Sequence, residues 1–558
     1  MNLFSPFSKH VLLHTNYTPT DAEILQIKNI CAEPQREIHR LDLEISRLQA
    51  IRKELKDFVD AHQNMLSPIR RVSPEILQQI FIQCLPSHTK PAMHHSQAPV
   101  LLGRVCSRWR QIAIETPHLW SSVHVVIPRK FDLSASLLSV RRLKAMRLWL
   151  TRSGALPLHI TLHAQPAHYS NIHSPCDASS FIQALVPYSP RWRHMELSME
   201  HRFAQSLSTL KGEDVPMLHS FVFRNMNDFS PYYWQPPPGD GRQALESLHF
   251  LRLAPALKHL TAPMYDHDMW TPLSAQYITD LSLEFIHSPR SMQDPPLPHI
   301  LGVLAKCQSL QNCSLKFKLS DFVLDHTTGR DGHDMVFTLQ YLESLRLWSS
   351  SPFTPGQTGG VLATLFDHIS LPKLRSLDIS DHYSPFTSLH TFLKRSSCSL
   401  QKLAIRRLSV NPDILLPCLR SSPELEDLTL GFNAVMGLDE TRMDYEFHNK
   451  FFGPMMAESD WLCPNLRIIT FIDAFLGDGD DAVGDLHQFL QHRCHPPLHT
   501  VSLHHLIIES STSVAPFDPE RLRAKLQDLT EDGLQLTINA SRLPPLEASA
   551  FLGLPRSS

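Results

Sequence analysis

One short phrase of apolar residues recurs along this chain and limits its fold more than any other feature. The phrase is Leu-x-x-Leu-x-Leu, with other apolar residues in some places, and copies begin at Ile278, Leu310, Leu342 and Leu374, each 32 residues after the last. Apolar residues at alternate positions predict half-buried strands. Further copies begin at Trp192, Leu218, Leu245, Leu400, Leu425, Leu466 and Leu498, with a doubtful copy at Leu257.

The stretches between these copies favour helices, for example at 360–368 and 485–492. Strand, helix and strand at this pitch predict an α/β fold, with a parallel sheet and helices on its outer side. The phrase resembles the strand of leucine-rich repeats, although the Asn that normally follows it is mostly missing and is present at Asn433. We therefore expect an irregular solenoid of this kind over residues 150–540, shaped as a horseshoe, and a flexible C-terminus over 541–558.

In such strands the residues between the buried ones point to the opposite, concave face. Their charges are of mixed sign, and the chain as a whole carries 52 Lys and Arg against 55 Asp and Glu. A surface without a basic stripe suits a protein ligand better than a nucleic acid. Nine residues of this face are the candidates for ligand binding: Asp280, Glu284, Lys316, Arg346, Trp348, Asp378, Lys402, Arg406 and Asp427. The same pattern places His194, Glu196, Arg224, Thr500, Ser502 and His504 on this face.

The N-terminal part is predicted to be helical. Residues 1–33 are weakly patterned and expected to be flexible, although Ile24, Ile27 and Ile30 have the spacing of a short helix before Pro34, whereas 34–65 form a helix with Pro34 in its first turn. Apolar residues recur there at steps of three and four, with Arg52 and His62 in the two remaining slots. This seam consists of Ile38, Leu41, Ile45, Leu48, Leu55 and Val59. It contains fewer than four perfect heptads, which leaves two alternatives: a helix packed on its own domain, or a coiled coil that self-associates.

Two short amphipathic helices follow within residues 66–125. Ser73 is placed to cap a helix that begins at Pro74, with Glu75 in its first turn, where a carboxylate favours the helix dipole. The first helix carries Ile76, Leu77, Ile80, Phe81 and Cys84 on one wide face. The second is expected to carry Leu101, Leu102, Val105, Trp109 and Ile112 on one side, before a Leu119-Trp120 pair.

Three segments follow each other in an order that resembles the F-box, the helical module of SCF-type ubiquitin ligase substrate receptors. They are Pro-Glu-Ile-Leu-x-x-Ile-Phe, Val-Cys-x-x-Trp-x-x-Ile-Ala and Leu-Trp. Together with the preceding helix, the arrangement is similar to that of F-box proteins of mushroom-forming fungi. The resemblance implies docking of a Skp-family adaptor, and through it a cullin, while the solenoid holds a client protein and supplies no catalytic residue or cofactor. The adaptor-binding residues it implies are Val72, Pro74, Ile76, Leu77, Ile80, Phe81, Val105 and Trp109.

The competing interpretations are a ubiquitin-independent repeat scaffold that self-associates through the N-terminal helix, and a metal enzyme. His487, His492, Cys494, His495 and His499 have ligand types that suit Zn²⁺, but 33 histidines in the chain make such a cluster unremarkable, so we expect no metal. The sequence has no nucleophile elbow, phosphate-binding glycine loop or His-Glu-x-x-His motif. Ten scattered cysteines, no signal peptide and no long apolar run predict a cytoplasmic or nuclear protein without membrane contact.

Overall fold

The computed structural model describes residues 16–128, 133–164, 178–225, 246–264, 277–286, 297–318, 336–349, 361–380, 386–408, 412–432, 450–457, 461–472, 480–495, 502–510 and 519–540. Within it the chain divides into two compact units, Met1–Ile80 and Phe81–Ser558. The predicted residues 541–558, Asn433 and His499 lie outside the described ranges, as do residues 1–15.

The first unit is dominated by one helix, α1 (Asp21–Met65). The backbone N–H and hydroxyl of Thr20 donate to the Glu23 carboxylate at 2.8 and 2.7 Å, and the Ile24 N–H donates to the Thr20 carbonyl. This capping pair begins the helix well before Pro34, so the predicted first-turn place of Pro34 is wrong, and residues 21–33 continue into the same helix. Pro34 lies inside α1, where its missing N–H removes one hydrogen bond of a 45-residue helix.

The seam of α1 is exposed along its length. Each of its six apolar side chains keeps between 45% and 62% of its surface accessible. On another side of the helix, Glu37 pairs with Arg40 at 2.7 Å and Glu44 with Arg47 at 3.6 Å, which supports the helix locally. The helix thus forms from local interactions, and its apolar seam is left uncovered.

The second unit contains a sheet of fourteen parallel strands among the described residues, in sequence order. A separate pair, β8 and β10, forms a two-stranded sheet. The strands are β1 (Ser122–Ile127), β2 (Leu158–Ala164), β3 (Trp192–Met199), β4 (Ser220–Asn225), β5 (His259–Met264), β6 (Asp280–Ile286), β7 (Asn312–Lys318), β8 (Phe337–Thr338), β9 (Ser344–Ser349), β10 (Ile369–Ser370), β11 (Ser376–Ser380), β12 (Lys402–Leu408), β13 (Asp427–Phe432), β14 (Ile468–Ile472), β15 (His505–Ser510) and β16 (Gln535–Ala540).

Helices occupy many of the intervals, which confirms the predicted α/β class with a parallel sheet. After α1 they are α2 (Pro74–Gln83), which crosses the boundary between the units, α3 (Ser107–Ile114), α4 (Leu133–Arg152), α5 (Ala178–Leu185), α6 (Leu297–Lys306), α7 (Val361–His368), α8 (Phe386–Ser396), α9 (Pro412–Arg420), α10 (Asp480–Cys494), α11 (Pro519–Lys525) and α12 (Gln527–Glu531). Neighbouring helices pack on each other through aromatic side chains, as where the rings of Phe366 and Phe392 lie 5.0 Å apart.

The recurring apolar phrase builds the core as three columns. Its first, fourth and sixth residues in the copies beginning at Ile278, Leu310, Leu342, Leu374, Leu400, Leu425 and Leu466 are all at most 3% exposed. Parallel pairing in register stacks each residue on its counterpart, as in Leu345 on Leu377 and Leu377 on Leu403. A single repeat cannot enclose its own apolar residues, so stacking supplies the stability.

Arginines that are partly or fully buried join successive repeats in a way that the phrase does not predict. Arg395, near the end of α8, donates to the carbonyls of Phe366 and Ile369 at the end of α7. Arg191 donates to the Leu156 carbonyl and the Ser153 hydroxyl just after α4. Arg493, in the last turn of α10, donates to the carbonyls of Met455 and Leu462. Each guanidinium donates to backbone carbonyls of an earlier segment, and those at the end of a helix have no partner within the helix.

Several predicted strand positions are wrong. In the Leu245 copy, Leu248 and Phe250 are buried, yet His249–Leu253 form a 3₁₀ helix, whereas the doubtful Leu257 copy supplies β5. Strand β15, which the Leu498 copy was expected to supply, begins at His505, so its phrase starts at Leu503 and not at Leu498. Ser502 and His504 therefore precede the strand, and Leu498 and Thr500 lie outside the described residues. The sheet also begins earlier than residue 150, because β1 lies partly within the range predicted for the F-box.

Candidate functional site

Helix α2 has one buried and one exposed apolar pair. Leu77 and Phe81 have no accessible surface, while Ile76 and Ile80 are 55% and 41% exposed. The helix begins at Pro74 as predicted, and the Ser73 carbonyl accepts the Leu77 N–H at 3.1 Å. Hydrogen bonds from the Glu75 backbone N–H and from Ser73 lower the pKa of the Glu75 carboxyl, which keeps it charged at the positive end of the helix. The rigid helix therefore presents Ile76 and Ile80 to solvent.

The predicted second helix is broken. Leu102–Arg104 form a 3₁₀ turn, and α3 begins only at Ser107 because Cys106 has an extended backbone and its Sγ accepts the Trp109 N–H at 3.4 Å. Val105 is 57% exposed and Leu101 44% exposed, whereas Trp109 is half-buried, its ring centroid 4.8 Å from that of Phe81. Of the predicted adaptor-binding residues, Val72 is half-buried and Pro74 exposed.

All nine predicted ligand-binding residues of the sheet lie on one face, the face opposite the buried columns. The register brings them together in cross-strand pairs: Glu284 with Lys316 at 3.0 Å, Asp378 with Arg406 at 3.1 Å and Lys402 with Asp427 at 3.5 Å. The Lys316 ammonium also lies 4.8 Å from the ring centroid of Trp348. Asp280 accepts from Asn312 at 2.8 Å and contacts His259, while Arg346 is exposed. Because acidic and basic side chains alternate in these pairs, the face has nearly balanced charge. Partly exposed pairs of this kind contribute little to stability.

The first strands of the same face carry a histidine cluster that the sequence prediction reached only through His194. The register places His159, His194, Ser220, His259 and Asp280 in one row across β2 to β6. Ring centroids of His159 and His194 lie 4.5 Å apart. The alternation of His159, Thr161 and His163 in β2 was the available signal, because alternate residues of a strand share a face.

Above this row lies a cavity of about 270 Å³, lined by Lys90, His159, His194, Glu196 and Ser220 among others. Lys90 lies in the segment before β1. The His124 N–H of β1 donates to the carbonyl of the next residue, Pro91, at 2.8 Å and so holds this segment beside the sheet. Its ammonium donates to the Thr161 hydroxyl at 2.6 Å and lies 3.8 Å from Glu196. Glu196 also pairs with Arg224 at 3.0 Å.

His163 is buried near this cluster and makes the stability of the second unit depend on pH. Burial, reinforced by His124, lowers the pKa of His163 from 6.5 to about 4. The folded state binds this proton less readily than the unfolded chain does. The contribution of neutral His163 to the free energy of unfolding is therefore complete above about pH 6.5 and is lost as the pH falls towards 4.

We expect the free energy of unfolding to fall between pH 7 and pH 4.5 by about 2 kcal/mol more in the wild-type chain than in His163→Asn. Urea unfolding followed by circular dichroism at a series of pH values measures the difference. Equal pH dependence in the two proteins would contradict the assignment to His163.

The predicted histidine and cysteine cluster is divided among other contacts. His487 contacts the Asp528 carboxylate at 2.8 Å, the His492 ring lies against Trp461, and the Cys494 thiol lies 3.7 Å from the Leu503 carbonyl. Among the residues that the structure describes, no group of three or more His, Cys, Asp or Glu side chains is arranged to hold a metal ion. Nor does the described part of the chain contain a helix with the length and apolar character needed to cross a membrane.

Comparison with models of known protein families finds no match, and no curated protein sequence matches this chain. The candidate sites are therefore assessed on their own geometry.

Proposed function

We propose that this chain is the substrate-recognition subunit of an SCF-type cullin ubiquitin ligase. Helix α2 docks the Skp-family adaptor, and the polar sheet face binds a client protein. The observation that carries the proposal is the division of α2, in which Leu77 and Phe81 have no accessible surface while Ile76 and Ile80 remain in solvent. Apolar side chains held in fixed positions on a rigid helix are the features of a docking surface.

The sheet face supports the second half of the proposal. Its side chains are polar, of both signs and fixed by cross-strand contacts, and the aromatic ring of Trp348 lies among them. A pre-ordered polar surface loses little side-chain entropy on binding a partner. The proposed role is to hold a client near a ubiquitin-charged enzyme supplied by other subunits, which raises the effective concentration of its lysines.

The test is co-purification of the full chain with a recombinant Skp-family adaptor, followed by light scattering to measure the mass of the complex. We expect a stable one-to-one complex, because specific interfaces of this kind bury roughly 1,200 to 2,000 Å² in total. A folded chain that elutes apart from the adaptor at micromolar concentration would refute adaptor docking.

A second candidate function, a scaffold that self-associates through α1, is favoured by the exposed seam of that helix. The seam has Ile38, Ile45 and Val59 at one heptad position and Leu41, Leu48 and Leu55 at the other. β-Branched residues alternating with leucine in this way favour a two-stranded parallel coiled coil.

On this second proposal the chain sediments at twice its mass of 63.6 kDa, and Leu48→Glu converts it to a monomer, because a carboxylate in the seam is desolvated opposite its own copy. Leu43→Glu is the matched control, since Leu43 is exposed but lies off the seam. Sedimentation equilibrium measures the mass. A wild-type monomer at tens of micromolar would eliminate self-association and leave adaptor docking.

A further inference from the structure

The cavity above β2, β3 and β4 has an excess of positive charge. Among the described residues that line it, Glu196 is the carboxylate, and this group contacts two cations, Lys90 at 3.8 Å and Arg224 at 3.0 Å. Burial is the main cause that lowers the pKa values of His159, His194 and His219, and charge repulsion from Arg193 adds to it for all three, as does repulsion from Lys258 for His219. One carboxylate is therefore set among several cationic groups.

The histidines of the row differ in their partners. His259 contacts the Asp280 carboxylate at 2.8 Å. For His159 and His194, and for His219 just before β4, the described residues provide no carboxylate partner within hydrogen-bonding distance, and the rings contact each other instead, at 4.5 Å for His159 with His194 and 6.0 Å for His194 with His219. The row thus has imidazole donors next to the cavity that an anion from outside is able to engage.

We propose that this cavity binds an anionic oxygen group, a carboxylate or a phosphate, between Lys90, His159 and His194. The Lys90 ammonium and the two imidazoles would donate to its oxygens, and the Ser220 hydroxyl lines the same cavity. Charge-assisted hydrogen bonds of this kind are about twice as strong as neutral ones. Assigning the anion to a client protein rests on the proposed function, whereas anion binding itself does not.

The charges around the cavity give the proposal a definite pH dependence. Burial, then His159 and Lys90, lowers the pKa of His194 to about 4, and burial, then Lys90 and Arg193, lowers that of His159. His219 and Arg193 also repel a proton on His194, and Glu196, which pairs with Arg224, is the carboxylate among the described residues that line the cavity. An anion stabilises the imidazolium form, so its binding takes up protons and strengthens as the pH falls.

Equilibrium dialysis of the full chain against [³⁵S]sulfate at constant ionic strength tests the proposal, because the sulfate charge stays constant between pH 7.5 and 5.5. We expect one sulfate bound per chain and about tenfold tighter binding at pH 5.5 than at pH 7.5. Lys90→Gln and His194→Asn should each weaken binding about tenfold or more. Lys402→Gln is the matched control, since Lys402 lies on the same face but pairs with Asp427 outside the cavity.

A parallel series with [¹⁴C]acetate distinguishes the two sources of the anion. Binding of acetate as tight as that of sulfate supports a carboxylate ligand, and binding of sulfate alone supports a phosphorylated one. Binding of neither anion, binding that does not change with pH, or equal loss in Lys402→Gln would overturn the proposal. Ile80→Asp should bind sulfate normally, so failure of anion binding and failure of adaptor docking are separate results.

Discussion

Replacing Ile80 by aspartate should abolish adaptor binding while the chain remains folded. Ile80 is 41% exposed, so the carboxylate is hydrated in the free protein and costs the fold little beyond about 0.5 kcal/mol of helix propensity. In the proposed interface the same carboxylate would be desolvated without a partner, at a cost of about 3 kcal/mol or more, which corresponds to at least about a hundredfold loss of affinity. Isothermal titration with the purified adaptor measures this loss.

Two further variants make the result specific. Leu148→Asp is the matched control, because Leu148 is 50% exposed on α4 and is not part of the proposed face, and it should bind the adaptor normally. Phe81→Asp should instead disrupt the packing of α2 and α3, because Phe81 has no accessible surface and its ring contacts Trp109. Undiminished binding by a folded Ile80→Asp protein would show that α2 is not the docking helix.

Replacing Arg493 by methionine should destabilise the second unit more than any surface substitution. Arg493 is 1% exposed, and its guanidinium donates to the carbonyls of Met455 at 2.8 Å, Leu462 at 2.6 Å and Cys463 at 3.3 Å. Burial lowers its pKa to about 10, so it stays charged at neutral pH, with its guanidinium 4.6 Å from the ring centroid of Trp461. Methionine fills much of the volume but removes the donor of the Met455 and Leu462 carbonyls, whereas the Cys463 carbonyl still accepts the Leu466 N–H at 3.1 Å.

The expected cost is about 3 to 5 kcal/mol, since each buried unsatisfied polar group costs about 1 to 3 kcal/mol and the surroundings relax in part. Urea unfolding followed by circular dichroism measures it. Arg523→Met is the control, because Arg523 is half-exposed and pairs with Glu520 on the surface, and it should change stability by less than about 1 kcal/mol. A midpoint for Arg493→Met equal to that of the control would contradict the structural role of this arginine.

The strands were largely predictable because the buried residues of a stacked repeat recur in a fixed pattern. Leu345, Leu377 and Leu403 occupy the same column, so the phrase alone placed β9, β11 and β12 in register. The pattern could not separate the Leu245 copy from the Leu257 copy, because a 3₁₀ helix also buries apolar residues at short intervals: Phe250 and Leu260 are both at most 2% exposed. Burial was therefore predictable at positions where backbone conformation was not.

The apolar pattern could not predict interactions between polar groups that are distant in sequence. Lys90 reaches Thr161 across 71 positions, and Arg493 reaches Met455 across 38, with no periodic signal to link either pair. In α2, the spacing put Ile76 with Ile80 and Leu77 with Phe81, but only the surrounding structure decides which pair is buried. The composition of the candidate sites was thus visible in the sequence, while their exposure and partners were not.

Isothermal titration of a Skp-family adaptor into the full wild-type chain measures whether the exposed pair on α2 docks an adaptor. We expect saturable one-to-one binding that Ile80→Asp removes and Leu148→Asp retains. A correctly folded wild-type chain that gives no binding, or the same binding in all three proteins, would contradict docking through this pair.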